Sequence, residues 1–315
     1  MVKGRFGVIM SYYRERYGLQ QSALYEGVCS AASYFRVEMG ERMVDFVIIE
    51  ALLSRICKSS EQFEFMMKSE DYDLWTKRLE MQSAMMEQDF LKVDKEIKEY
   101  KKQMPLNSNL HRQFCLYCEL KVAEWNRQPV DILCQIAWSA LAITKNIGDK
   151  PHKRKNLYSN TEMDLLLTLI HYKYEKWGEY NNAKTCLIEM LEMIEMCPPQ
   201  KAQISVEGKI LMELAAVIEK HDDDIILYEY IDKAIDTSSK SDGIVRLAEL
   251  HFMKARLLWR IQKGLGIKDG WLHLCEEECR MAYGIFLVME REKEKEEVEK
   301  FCKEELNWHI TMQIE

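Results

Sequence analysis

Few side chains in this chain have the types and spacing that metal binding requires. Cys115 and Cys118 form a CxxC pair, and a second group contains His273, Cys275 and Cys279. A zinc ion needs four such ligands brought together, whereas these residues lie on amphipathic helical stretches that are far apart in sequence. We therefore predict reduced thiols in a helical core, with no metal and no cofactor.

The motifs of common enzyme classes are not found either. The sequence contains no G-x-S-x-G, H-E-x-x-H, Walker A or G-x-G-x-x-G motif, and its seven histidines are scattered without paired spacing. These observations predict that the protein is not an enzyme.

The clearest chemical signal lies between Leu19 and Gly40. This stretch, LQQSALYEGVCSAASYFRVEMG, predicts two short helices joined by a tight turn, which is the layout of a helix-turn-helix. Gly27 ends the first of these helices, and Ser30 is a suitable N-cap for the second. Because the second helix of such a unit enters the major groove, the stretch predicts contact with duplex DNA.

The distribution of charge bears on this prediction. The chain has a net charge of -8, but residues 1–57 contain seven basic and six acidic residues, for a net charge of +1 that leaves -9 for the rest. DNA binding needs local cations aimed at phosphates, and the whole protein need not be basic. One unit with a net charge of +1 would bind DNA only weakly, so we expect two copies in a homodimer.

Helical periodicity runs through the rest of the sequence. Short helices are predicted at 6–17, 20–26, 31–39 and 46–57. Longer helices are predicted in pairs: 61–86 with 88–103, 107–126 with 129–146, 160–177 with 179–196, 202–220 with 223–238, and 243–263 with 270–288, followed by 291–306. Pairs that recur roughly every 40 residues predict an α-solenoid.

The clearest single repeat runs from Trp177 to Leu187. Its spacing, G-x-Y-x-x-A-x-x-x-L, matches the turn and second helix of a tetratricopeptide repeat. Gly178 permits the turn, and Ala183 lets two helices approach closely. We therefore predict an all-α protein, with a helix-turn-helix domain at residues 1–60 and a tetratricopeptide-like α-solenoid at residues 61–315.

Apolar stretches long enough to enter a membrane are not found in the sequence. No run of 18 apolar residues exists, and the first residues contain no stretch suited to a secretory signal. Ten cysteines without such a signal indicate reduced thiols. These features predict a cytoplasmic protein that does not associate with membranes.

Residues 5–57 resemble the N-terminal domain of the peptide-responsive regulators of Gram-positive bacteria, the Rgg-type and PlcR-type members of the RRNPP group. Three segments show the resemblance: YYRERxGLxQ from Tyr12, LxEGVCS from Leu24, and YxRVExGER from Tyr34. A helical-repeat body that follows directly also fits that group, although the remainder matches by architecture only.

The resemblance implies a set of DNA-binding residues: Gln21, Ser30, Ala31, Ala32, Ser33 and Arg36. In such a unit Gln21 opens the second helix and touches phosphate, and the third helix presents its residues to the groove. Only Arg36 has a long donor that can grip guanine or phosphate. Glu38 is expected to pair with an arginine such as Arg14 and to hold the unit together.

The resemblance also implies a short signalling peptide in the concave face of the repeats, where asparagine side chains grip its backbone. The candidates are Asn126, Asn160 and Asn182, although Asn182 is also predicted to be a turn residue of the clearest repeat. The implied function is a quorum-sensing transcription regulator that is a homodimer and binds duplex DNA.

Two departures from that pattern leave an alternative open. Tyr25 stands where these units place alanine, so its ring must swing outward or push the helices apart. Phe35 stands where serine is usual, on the exposed side. Both favour a helical-repeat adaptor whose degenerate helix-turn-helix contacts protein instead of DNA. The charged runs at 150–155 and 290–303 are interpreted as solvent-exposed segments.

Overall fold

A computed structural model describes residues 5–42, 44–56, 58, 69–145, 157–195, 201–221, 224–240, 244–265 and 271–310. Within these ranges the chain forms fifteen α-helices and no β-strand, which confirms the predicted all-α class. None of the helices in the described part has a stretch both apolar and long enough to traverse a bilayer. The basic segment at 150–155 lies outside the described residues.

Four short helices come first and eleven longer ones follow. The short helices are α1 (Arg5–Arg16), α2 (Gln21–Tyr25), α3 (Ala31–Glu38) and α4 (Phe46–Arg55). The longer helices are α5 (Ser69–Met86), α6 (Phe90–Gln103), α7 (Asn109–Trp125), α8 (Val130–Ala142), α9 (Asn160–Trp177), α10 (Tyr180–Glu195), α11 (Lys201–His221), α12 (Asp224–Ser239), α13 (Ile244–Leu265), α14 (Leu272–Val288) and α15 (Glu292–Glu304). Each predicted helix is present, and the start predicted at residue 61 lies outside the described residues.

Helix α9 illustrates how local sequence sets both ends of an element. The Ser159 hydroxyl accepts a hydrogen bond from the backbone N–H of Glu162, whose carboxylate accepts one from the backbone N–H of Ser159. This capping box satisfies two donors that the first turn leaves unpaired. At the other end Gly178 adopts a left-handed φ of 68°, which ends the helix as the repeat motif predicts. Ala183, in the helix that follows, is buried.

The chain divides into two compact units, residues 1–179 with 192–198, and residues 180–191 with 199–315. In the first unit each helix from α5 to α9 packs against the next, and α7 also contacts α9. In the second unit the helices from α11 to α15 follow the same order, and α11 also contacts α13. Packing between sequence neighbours is the arrangement expected of helical repeats.

The cysteines singled out by their spacing lie in these cores. Cys115 and Cys118 are buried in the first unit, where burial raises the pKa of Cys115 to about 11 and raises that of Cys118 further. Cys275 and Cys279 are buried in the second unit, whereas His273 is exposed. The prediction of core thiols is confirmed, because a protonated buried thiol behaves as a small apolar group.

Candidate nucleic-acid interface

The helix-turn-helix segment, defined here as α1 to α4, is built on one apolar cluster. Helices α1 and α2 both contact α3, and α2 also contacts α4. Leu24 of α2, Tyr34 of α3 and Leu52 of α4 are completely buried. Gly27 forms the turn between α2 and α3 with a left-handed φ of 74°, and the Ser30 hydroxyl caps α3. The predicted turn and cap are therefore confirmed.

One carboxylate at the end of α3 joins three helices. Glu38 Oε1 accepts a hydrogen bond from Arg14 Nε of α1 at 2.6 Å, as predicted, and Glu38 Oε2 accepts one from the Gln21 amide of α2. The hydrogen bond to Glu38 raises the pKa of Arg14. The Gln21 side chain, which was predicted to touch phosphate, is engaged inside the segment in this arrangement.

The outward side of α3 exposes a contiguous set of residues. Tyr34 and Val37 are buried on the inward side. The exposed residues are Ala31, Ala32, Phe35, Arg36 and Met39. Among the described residues nothing hydrogen-bonds or pairs with the Arg36 side chain. Its guanidinium is therefore available to a ligand that covers this side of the helix.

A second arginine lies beside this surface. Arg42 Nη1 donates a hydrogen bond to Ser33 Oγ at 2.9 Å, and Ser30 Oγ lies 3.1 Å from the same oxygen. Ser30 and Ser33 thus bond to each other at the start of α3. Sequence reasoning left Arg42 out of the predicted set, although its place in the third segment of the resemblance was an available signal.

The structure shows where Tyr25 and Phe35, the two departures from the pattern of the resembling family, are located. The Tyr25 ring is half-buried and packs against the Tyr34 ring, with centroids 5.8 Å apart and planes inclined by 42°. Leu24 and Tyr34 remain completely buried, so the ring does not separate α2 from α3. Phe35 is 53% exposed, on the outward side where it was predicted to lie.

The helix-turn-helix segment is anchored to the repeats of the first unit by a buried arginine. Arg55, at the end of α4, is fully buried and its Nη2 lies 2.6 Å from Glu162 Oε1 of α9. The same guanidinium donates to the backbone carbonyls of Leu24 and Glu26, at 2.8 and 2.7 Å. One side chain therefore connects α2, α4 and α9.

Opposite charges keep this buried site ionised. Burial alone would raise the pKa of Glu162, but the charges of Arg55 and Lys145 outweigh burial and lower it. Burial lowers the pKa of Lys145 to about 8. Sequence reasoning missed Arg55, because a basic residue in the last turn of a helix is ordinarily a solvent-exposed partner of the helix dipole.

Two of the asparagines predicted to bind peptide are exposed at opposite ends of neighbouring helices. Tyr117 contacts Asp164, and Tyr172 contacts Glu124, so α7 and α9 run parallel. In that register Asn126 and Asn160 differ by 14 residues along the helix axis, which is about 20 Å. Asn182 is exposed in the first turn of α10, in the second unit. All three remain predictions.

Comparisons with known proteins concern the fold. No protein-family model matches the chain, and neither does any curated protein. Among solved structures it is similar to Bacillus thuringiensis PlcR in complex with the peptide PapR7 and DNA, with a TM-score of 0.56 and 14% identity over 93% of this chain and 98% of that one. It is also similar to the apo form of ComR from S. thermophilus, with a TM-score of 0.50 and 14% identity over 95% and 98%. The resemblance found in the first 57 residues thus extends, as a fold, to nearly the whole chain.

Proposed function

We propose that this chain is a DNA-binding transcription regulator whose affinity for DNA is set by a short peptide bound to its helical repeats. The observation that carries the proposal is the two-sided packing of α3. Its inward side completes the core of the segment, and its outward side exposes Arg36, which has no partner among the described residues, beside Ala31, Ala32 and Phe35. PlcR, which shares the fold, was solved in complex with DNA and a peptide.

In the proposed complex α3 lies in the major groove. Arg36 reads guanine or grips phosphate, Ala31 and Ala32 contact a thymine methyl group, and Ser33 also faces the groove. Gln21 and Ser30 contact the DNA backbone. Arg42 supplies a second cation beside α3, since it is already held on Ser33. We infer no catalytic role for such a protein, and we expect it to act in the cytoplasm.

The peptide is proposed to bind along the concave face of residues 61–315, with Asn126, Asn160 and Asn182 as candidate contacts. The buried Arg55 supports coupling between this body and the helix-turn-helix domain at residues 1–60. Because Arg55 bonds both Glu162 of α9 and the carbonyls at the end of α2, a shift of α9 changes the support of α2.

The first prediction tests the DNA contact. Full-length protein is used to enrich duplexes from a random-sequence library at low salt, and Arg36→Ala is then compared on the enriched sequence. A bidentate contact of arginine to guanine contributes about 1–3 kcal/mol of discrimination, so the variant should lose roughly five- to 150-fold in specific affinity. Fluorescence anisotropy measures the loss.

A matched control separates this contact from a general effect of charge. Arg280 of α14 is also exposed and lies in the second unit, so Arg280→Ala should leave specific affinity unchanged. Failure of the wild-type protein to enrich any duplex would refute DNA binding.

The adaptor remains the second candidate function. The exposed rings and thioethers favour it: Phe35 is 53% and Met39 is 60% exposed on the outward side of α3. Apolar side chains grouped on a helix suit a protein partner. If no duplex is enriched, and Phe35→Ser abolishes capture of a partner protein that the wild type retains, the adaptor function replaces the regulator.

A further inference from the structure

A cavity of about 120 Å³ lies in the first unit, between the last helix of the helix-turn-helix segment and the repeats. Its walls come from α4, α5, α7 and the start of α9. Val47, Leu110 and Phe114 supply apolar surface, whereas Arg78 and Glu50 supply charge. The cavity has room for a group of a few non-hydrogen atoms.

Arg78 is buried in the wall of this cavity with unsatisfied donors. The residue is only 6% exposed, and its Nε and Nη1 atoms have no hydrogen-bond partner among the described residues. These two nitrogens carry three N–H groups. The guanidinium also stacks on the Phe114 ring, with its central carbon 4.2 Å from the ring centroid, which fixes its plane. A buried cation with unpaired donors is costly unless an anion joins it.

The neighbouring side chains that the structure describes supply only one counter-charge, the carboxylate of Glu50 at a long distance. Burial raises the pKa of Tyr100 to about 12, and burial followed by the charge of Arg78 lowers the pKa of His111 to about 4. Both groups are therefore neutral at pH 7, and they hydrogen-bond each other. Among the described residues lining the cavity, Glu50 is the one carboxylate, and its oxygen lies 3.7 Å from Arg78 Nη2, beyond a good hydrogen bond.

The start of α9 adds a weaker attraction for negative charge, because the backbone N–H groups of Ser159 and Asn160 already donate to Glu162 and Ser54. Ser159, Asn160 and Thr161 form the start of the 18-residue helix α9 and line the same cavity. The N-terminus of a helix is the positive end of its dipole. Glu162 in the same turn is already held by Arg55 and by the backbone of Ser159.

We propose that this cavity binds the carboxylate group of a small ligand, with Arg78 as the residue that holds it. One guanidinium beside an existing carboxylate suits a single negative charge better than a doubly charged phosphate. The apolar wall suits a short aliphatic group attached to the carboxylate. Two sources share this chemistry, a free short-chain carboxylic acid and the carboxyl end of a peptide. The inference requires neither DNA binding nor regulation by peptide.

Thermal unfolding of the full-length protein tests the proposal. Sodium propionate is titrated against propionamide and against sodium chloride at equal ionic strength. Propionate at ten times its dissociation constant should raise the melting temperature by about 2 °C. Propionamide has nearly the same shape but no charge, and it should leave the temperature unchanged. Equal shifts with propionate, propionamide and chloride, or no shift with any of them, would overturn the proposal.

Two variants locate the effect at the cavity. Arg78→Met keeps the length of the side chain and removes a buried charge whose donors are partly unsatisfied, so it should fold and weaken propionate binding at least tenfold. Glu50→Gln removes the competing carboxylate and should strengthen binding. Arg280→Met, in the second unit, is the matched control and should bind propionate like the wild type. Unaltered propionate binding in Arg78→Met overturns the proposal. If that variant does not fold, Glu50→Gln decides, because unchanged or weaker binding in it overturns the proposal as well.

A further arm distinguishes the two sources. An acetylated leucine dipeptide with a free carboxyl end is compared with the same dipeptide ending in a carboxamide. A larger rise in melting temperature with the dipeptide that has a free carboxyl end than with propionate at equal concentration assigns the site to a peptide end. A rise with propionate alone assigns it to a free short-chain carboxylic acid. Both results support a carboxylate site.

Discussion

Glu38 accepts hydrogen bonds from Arg14 and Gln21, so a single residue fixes three helices of the helix-turn-helix segment. The pair with Arg14 could be predicted, because the resemblance includes both residues. The bond from Gln21 could not, because the same residue was expected to face phosphate. Sequence indicates which residues belong to a surface, whereas the partner of a flexible amide depends on distances that only the folded segment sets.

At the same scale, His111 should make stability depend on pH. Burial, followed by the charge of Arg78, lowers the pKa of its imidazole to about 4, from an ordinary value of 6.5. As pH falls below 6.5 the unfolded chain takes up a proton that the folded chain refuses until about pH 4. Stability is therefore lost across this window, by up to about 3 kcal/mol.

Urea unfolding at pH 7 and at pH 5 measures this loss. His111→Gln replaces the titrating ring with a neutral amide, so its unfolding free energy should fall less between the two pH values than that of the wild type. An equal fall in both proteins would show that other groups govern the acid sensitivity.

At the scale of elements, the buried ion pair between α4 and α9 should contribute much more to the free energy of unfolding than ion pairs at the surface. Glu162→Gln leaves Arg55 buried without its main counter-charge, which typically costs about 3–5 kcal/mol. The double variant Arg55→Met with Glu162→Met should recover only part of that loss, since it removes both charges but leaves Lys145 and the carbonyls of Leu24 and Glu26 without these partners. Urea unfolding of the full-length protein gives the three values.

An exposed pair provides the comparison. Lys98 Nζ and Asp94 Oδ2 of α6 lie 2.6 Å apart, with side chains 68% and 49% exposed. Asp94→Asn should change stability by about 0.5 kcal/mol or less. A loss in Glu162→Gln as small as that in Asp94→Asn would mean that the buried site is hydrated.

The ends of the helices could be predicted more readily than their contacts. Gly18, Gly27 and Gly178 all have left-handed φ angles, and each ends a helix close to the predicted residue. The contacts of α4 with α7 and α9 join distant parts of the chain, and Arg55 and Glu162 are 107 positions apart. The spacing of residues within one helix does not predict contacts between distant helices. The Arg78 cavity that these contacts enclose could therefore not be predicted either.

At the scale of the whole molecule, the proposed regulator should be a dimer. A segment with a net charge of +1 and, among the described residues, one long unpaired donor on α3 binds too weakly to select a genomic site alone. Two copies related by a two-fold axis double the contacts, so binding sites should be pairs of half-sites about 34 Å apart. Analytical ultracentrifugation at micromolar concentration should show twice the 37.4 kDa chain mass without DNA, and two chains per duplex with DNA. A monomer under both conditions would contradict this expectation.

The charge of the body should also select the peptide. Residues beyond 57 have a net charge of -9, so neutral or basic peptides are favoured over acidic ones. Pools of random heptapeptides, sorted by charge, are compared by thermal shift of the full-length protein. A ligand that binds only the folded state raises the melting temperature, so a larger rise with the acidic pool would contradict the expected selectivity.

The close approach of Gly27 to the end of α8 limits how this protein can be recombined. A Cβ atom at residue 27 would lie 2.0 Å from the backbone oxygen of Thr144, so no other residue fits there without moving the turn. A DNA-binding segment transplanted from a relative would need both this glycine and a basic residue at position 55 to meet Glu162. Chimaeras whose exchanged residues 1–60 lack either of these two residues should therefore be insoluble or unable to bind DNA.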